Sequence, residues 1–299
     1  MSKLNANGIE LAYEIAGGNS GEKVILVQGL GYPLNAWPES FVKGLVAQGY
    51  QVIRFDNRDV GQSSYMDALG APSVTAVIGE LMQGKPVEVP YSLADMAQDV
   101  LGLMDTLNIG AAHVIGMSMG GMIAQEAVLA APDRFLSLTC IMSSTNNPAL
   151  PGPSEAVSMH LATPPKSAEP EDLLAYQIKT KKLIGSPAYP MTDAEVQAFV
   201  LSLAMRGIHP QGIVRQTLAV LTAGDRRARL AEINLPTLVL HGEDDPLVPV
   251  ECGLEIANSV TGAELTLFPG MGHEIPTALV DDMIQKFHAL VSHEPHAAL

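Results

Sequence analysis

The stretch Ala112-His113-Val114-Ile115-Gly116-Met117-Ser118-Met119-Gly120-Gly121-Met122 is a strand-like apolar run that breaks at a glycine, presents a serine and continues as a helix-like run to Ala130. A serine with glycines two residues before and two residues after has the spacing of a nucleophile elbow. In such a turn the serine holds a strained backbone, and a side chain at either flanking position would collide with the adjoining strand or helix. Gly116 and Gly120 remove those collisions. The Met119 N–H then opens a helix N-terminus and faces any negative charge that develops beside Ser118.

Working outward, strand and helix patterns alternate on both sides of this turn. Upstream, residues 9–15 alternate apolar and polar, and the glycine-rich turn at 17–21 leads into the apolar run 24–27, which predicts an edge hairpin feeding a buried strand. Helix 38–48, strand 51–55, a short helix at 74–82 and a helix at 92–107 follow; Ser92 with Asp95 three residues on forms a capping signal. Downstream, strand 136–142 precedes a break rich in Pro, Ser and Asn over 143–169. Only helical patterns follow, near 169–184, 192–206 and 210–222. Strand 236–241, helix 250–259, strand 264–268 and helix 276–293 restore the rhythm. Such alternation predicts an α/β fold, a mostly parallel central sheet flanked by helices. The core is expected over 1–145 and 232–299, with a helical cap inserted at 146–231.

A serine hydroxyl is nearly inert at neutral pH, so its use as a nucleophile requires a base within hydrogen-bond reach and a third group that orients the base. Both belong beyond the C-terminal ends of later strands. Two loops qualify: Gly242-Glu243-Asp244-Asp245-Pro246-Leu247-Val248-Pro249, and Pro269-Gly270-Met271-Gly272-His273. His273 is the expected base, with His241 as its rival. Among the three adjacent acids Asp245 is favoured, because it precedes a stiffening proline and lies three residues after Gly242. A second oxyanion donor is expected after strand 24–27, where Gly29 allows close backbone approach and the Leu30 N–H joins that of Met119.

Together, Gly116-Met117-Ser118-Met119-Gly120-Gly121, Asp56-x-Arg58-x-x-Gly61-x-Ser63, Gly242-x-x-Asp245-Pro246-x-x-Pro249 and Gly272-His273 resemble the α/β-hydrolase fold family. The resemblance implies that fold and a Ser118, Asp245, His273 triad. Two departures stand out: Gln28-Gly29 where many members have His-Gly, and Arg58-Asp59 where many have Arg-Gly. With Trp37-Pro38 they look like the anthracycline (aclacinomycin) methylesterase branch, which implies a carboxylic ester as substrate. Carbon–carbon hydrolases, lactonases, perhydrolases and acyltransferases share such a triad, and a small-molecule receptor can retain one.

Composition limits the rest. With 17 Lys plus Arg against 32 Asp plus Glu, the formal charge of −15 repels phosphate backbones and anionic lipid. No basic segment followed by an apolar core opens the chain, and no apolar run is long enough to span a bilayer, so a cytoplasmic protein is expected. Cys140 and Cys252 are expected as buried free thiols. The chemistry calls for neither cofactor nor metal, and a homodimer is left open. Apolar cap residues, among them Leu173, Ile178, Phe199, Met205, Ile213 and Leu221, exceed what short helices need among themselves. With Met117 and Met119 they are expected to form a mostly apolar pocket over Ser118, suited to a small hydrophobic ester, with no cluster of Lys or Arg at the motif loops.

Overall fold

A computed structural model describes residues 2–167 and 169–292. Eight strands form one sheet in the order β1-β2-β4-β3-β5-β6-β7-β8: β1 (Ser2–Ala6), β2 (Ile9–Ala16), β3 (Lys23–Val27), β4 (Gln51–Phe55), β5 (Ala112–Met117), β6 (Phe135–Ile141), β7 (Thr237–Gly242) and β8 (Glu264–Phe268). From β4 to β8 neighbouring strands are parallel, while β1–β2 and β2–β4 are antiparallel.

The hairpin is not where the sequence placed it. It lies between β1 and β2, closed by Asn7-Gly8 with φ of 49° and 78°, the pair of positive φ values that a tight hairpin turn with right-handed twist demands. Past the turn at 17–21 the chain crosses over: β2 pairs with β4, and β3 lies between β4 and β5. The reason is burial. In β3, Val24 to Val27 are fully buried, with Ile25 and Val27 in one apolar cluster and Val24 and Leu26 in the other. Such a strand must be covered on both faces, whereas β2 keeps partly exposed positions suited to the edge region.

Helices α1 (Glu39–Ala47), α2 (Val74–Met82), α3 (Leu93–Thr106) and α4 (Met119–Ala130) belong to the first half of the chain. α3 opens on the expected capping box, Ser92 with Asp95. Its buried Leu93, Met96, Val100 and Leu103 pack with Ile123 and Ala127 of α4 on one face of the sheet, and Phe41 and Leu45 of α1 cover the other. Between β6 and β7 come α5 (Glu155–Ala162), α6 (Pro170–Ile184), α7 (Asp193–Arg206), α8 (Pro210–Leu221) and α9 (Arg227–Leu230). α5 lies in the stretch read as a break; Ser154 caps it by accepting the Val157 N–H at 3.4 Å. The C-terminal part adds α10 (Val250–Ser259) and α11 (Val280–Ser292), and α11 packs on α1 through Ile284 and Phe287.

The inserted helices sit on the C-terminal ends of the parallel strands, held by polar contacts at the motif loops. Arg206 of α7 bonds Asp56 at 2.9 and 3.0 Å. Arg215 of α8 bonds Asp59 through two nitrogens, at 2.8 and 2.7 Å. Gln216 donates to the Arg58 carbonyl at 2.8 Å, and the His273 N–H donates to the Ile184 carbonyl at 2.7 Å. Cationic side chains therefore do reach the motif loops, from elements about 150 residues away in sequence. Both cysteines are free and buried. No helix among the described residues is long and apolar enough to cross a membrane.

Candidate active site

Ser118 joins β5 to α4 with φ 55° and ψ −122°, a conformation that costs an L-residue on the order of 1–3 kcal/mol and survives only where its surroundings enforce it. Those surroundings are tight. A Cβ on Gly116 would run into the Gly120 carbonyl, a Cβ on Gly120 into that of Val27, and a Cβ on Gly121 would come within 2.6 Å of Ser143. The turn is further pinned by the Ser118 N–H donating to the Ile141 carbonyl at 2.9 Å and by Ser143 Oγ donating to the Ser118 carbonyl at 2.8 Å.

Beyond β8, His273 lies with Nε2 3.0 Å from Ser118 Oγ and Nδ1 2.7 Å from Asp245 Oδ2. Asp245, after β7, is itself fixed: its Oδ1 accepts the Leu247 and Val248 N–H groups, each at 2.9 Å. With a carboxylate at Nδ1 the imidazole carries its proton there, which leaves the Nε2 lone pair for the serine hydroxyl. His241 is turned elsewhere. Its Nε2 donates to the Val248 carbonyl at 2.8 Å and stands 3.7 Å from Asp245. Burial lowers its pKa and keeps the ring neutral. Asp244 is exposed and accepts the Gly270 N–H at 2.8 Å, tying the two loops together; Glu243 is exposed.

The loop after β3 runs alongside the serine, close enough that a Cβ on Gly29 would lie 3.2 Å from Ser118 Cβ. Three successive amides are available here. That of Gly29 donates to Gln28 Oε1 and that of Gly31 to Gln216 Oε1, each at 2.7 Å. Leu30 N–H is left without a partner among the described residues, as is Met119 N–H at the start of α4. Gln28 also shows what replaces the histidine common at this position: its buried side chain holds its own loop, and its carbonyl accepts from Asn57 at 2.9 Å.

A cavity of about 540 Å³ opens onto His273 and Met117. Its lining is mostly apolar, as expected, but draws little on the inserted residues expected to supply it. Of the inserted apolar residues expected there, Phe199 lines it, whereas Met205 is 88 % exposed and Leu221 lies at the surface. Met119 packs into the core instead. Polar groups share the lining, chiefly Tyr32, Asn35, Lys181 and Glu274. Lys181 of α6 and Glu274, the residue after His273, form a buried ion pair. Burial, followed by the charge of Glu274, pushes the Tyr32 phenol up to about 12, so it stays protonated. No motif or periodicity in the sequence marks this pair.

One cluster has the composition of a metal site without room for one. Asp59, Asp67 and His209 bring potential ligand atoms within 4.8 Å of one another. Arg215 occupies the space between them, bonding both carboxylates and standing 3.2 Å from His209 Nε2.

Rhodomycin D methylesterase DnrP of Streptomyces peucetius is 29 % identical over 276 residues, covering 86 % of this chain and 86 % of that protein. This agrees with the methylesterase resemblance read from the motifs. A 2-hydroxy-6-oxononadienedioate/2-hydroxy-6-oxononatrienedioate hydrolase of Paraburkholderia xenovorans (strain LB400) is 29 % identical over 271 residues, 89 % of this chain and 84 % of that one. In structure, the enol-lactonase from Burkholderia xenovorans LB400 superposes with a TM-score of 0.75 at 22 % identity, covering 98 % of this chain and all of the other, a likeness of fold. The sequence profile described as the alpha/beta hydrolase fold matches residues 23–276, from the first buried parallel strand to just past His273. The chain belongs to the α/β-hydrolase fold family.

Proposed function

We propose that the protein is a serine hydrolase of carboxylic esters, acting on a small, largely hydrophobic acyl group beneath a cap formed by residues 146–231. The observation that carries this reading is the unbroken hydrogen-bonded line from Asp245 through His273 to Ser118, beside two amides with no other partner among the described residues. Ser118 Oγ attacks the acyl carbon while His273 Nε2 takes its proton. Asp245 holds the imidazole and balances the charge it acquires. The Leu30 and Met119 amides receive the oxyanion. The same proton then leaves with the alcohol, and water, deprotonated by His273, releases the acid from Ser118. No step draws on a cofactor.

The choice of esters over carbon–carbon bonds rests on charge. The dioate named for the Paraburkholderia xenovorans relative carries two carboxylates. Lys181 is the one Lys or Arg among the described residues lining this cavity; it is neutralised by Glu274, and Glu195 adds negative charge. A dianion would have no unpaired cation to meet there. Hydrolysis of methyl and p-nitrophenyl esters tests the reading. Ser118→Ala is expected to lose on the order of a thousand-fold or more in kcat, and wild-type turnover in that variant would overturn the assignment of the nucleophile.

A further inference from the structure

Lys181 is 6 % exposed and lines the cavity beside His273, although a buried ammonium is costly unless its hydrogen-bonding capacity is met. The neighbouring Lys179 is exposed and Lys182 pairs with Asp193 at the surface, so burial singles out this lysine on α6. An ammonium has three protons to place. One goes to Glu274, whose other oxygen accepts the Ser186 N–H at 2.8 Å. The Phe199 ring, 4.8 Å from Nζ, supports the charge with its π face but accepts no conventional hydrogen bond. Lys181 Nζ makes no second hydrogen bond among the described residues. A second buried donor in the same lining is in the same condition: Trp37 Nε1 has no partner among the described residues.

We infer that Lys181 is a specificity-determining residue that donates a hydrogen bond to an uncharged oxygen, such as a carbonyl, on the acyl part of the ester. The inference rests on the ester-hydrolase reading above. The partner is an acceptor because the wall offers unpaired N–H groups, and uncharged because Glu274 already balances the ammonium and would repel an approaching carboxylate. Glu274 follows His273 directly, so the donor is tied to the loop that carries the imidazole. An oxygen engaged at Lys181 thereby fixes the acyl group in register with the reacting serine.

Two methyl esters of the same shape test this: methyl 9-oxofluorene-2-carboxylate, which has a ring ketone, and methyl fluorene-2-carboxylate, which lacks it. The wild type should prefer the ketone by about ten-fold in kcat/KM, mostly through KM. Lys181→Met with Glu274→Gln, which removes both charges and keeps an acceptor for Ser186, should bring that ratio to about one, and Lys181→Arg should retain much of it. Binding of the two esters to Ser118→Ala, measured by calorimetry, gives the same comparison with no chemistry. A ketone preference in binding that vanishes with Lys181, found without wild-type hydrolysis, would uphold the inference and sink the ester reading. Equal binding of both esters, or a preference that survives loss of Lys181, would overturn the inference whatever the turnover.

Discussion

Asp244 and Asp245 are adjacent and chemically identical, yet the fold gives them opposite surroundings. Asp245 is enclosed, receives two backbone N–H groups on one oxygen and the imidazole on the other. Asp244 faces solvent and takes a single loop amide. Asp245→Asn preserves the shape but offers His273 an amide in place of a carboxylate, so kcat should fall by about 10³–10⁴ with the fold intact. Asp244→Asn should change it by no more than a few-fold; measuring both on one ester decides the assignment, and the reverse order would exchange their roles. The sequence allowed this choice because Gly242 and Pro246 frame the acid locally. It did not reveal Lys181 and Glu274, which meet across 93 residues and belong to no motif. The thiols, by contrast, were legible: both are free and buried, as expected. Burial pushes Cys140 up to about 12 and Cys252 up to about 11, so neither should react with a disulfide reagent in the native protein at pH 8, and both should react after unfolding. Stoichiometric labelling of the native chain would contradict this.

The loop after β4 shows how a departure from a family pattern can have a structural cause. Asp59 occupies a position with φ 67°, where glycine would be free of strain. What the aspartate adds is a fastening: its carboxylate receives Arg215 from α8, the Met66 N–H and the Tyr91 hydroxyl. One residue earlier, Arg58 turns the other way, to Asp99 of α3 at 2.6 Å, while Asp56 receives Arg206 of α7. The motif is therefore a junction between the sheet and the inserted helices. Periodicity located α6, α7 and α8 well because each has an apolar stripe, but it cannot state what a loop residue will pair with 156 positions later. It also missed α5, whose short span sits among prolines, and it paired β2 with the wrong strand because adjacency in sequence does not fix adjacency in a crossed-over sheet. Arg215→Met leaves Asp59 buried without its cation, so it should cost about 3–5 kcal/mol. Urea unfolding provides the check; a loss below 1 kcal/mol would show that the insertion is held chiefly by its apolar contacts.

At the scale of the whole molecule, that junction makes the hold of the insertion on the core depend on pH. Burial alone would raise the Asp59 carboxyl, but Arg215, the Met66 N–H and Tyr91 together hold it below the ordinary aspartate range. The Arg215 guanidinium is correspondingly raised, first of all by Asp59, so both partners indicate the same favourable pairing. A carboxyl whose pKa is lower in the folded than in the unfolded chain contributes its full stability above the unfolded value, near pH 3.9, and loses it as pH falls through the folded value. Other acidic groups also titrate there, since the chain holds 32 Asp plus Glu, so the acid stability of the wild type alone cannot isolate this one. Subtracting Asp59→Asn does, because the variant keeps every other carboxyl. Trp37, the single tryptophan, supplies the signal: it is 1 % exposed and lies two residues beyond Asn35, whose amide donates to the Ser202 carbonyl of α7 at 3.0 Å. Urea unfolding followed by its emission should find the wild type more stable than Asp59→Asn by a constant margin from pH 7 to about pH 5. The margin should then shrink toward zero as pH falls below about 4, where protonated Asp59 offers Arg215 no more than asparagine does. A margin that stays the same down to pH 3 would mean that the Asp59 charge does not help to hold the inserted helices on the sheet.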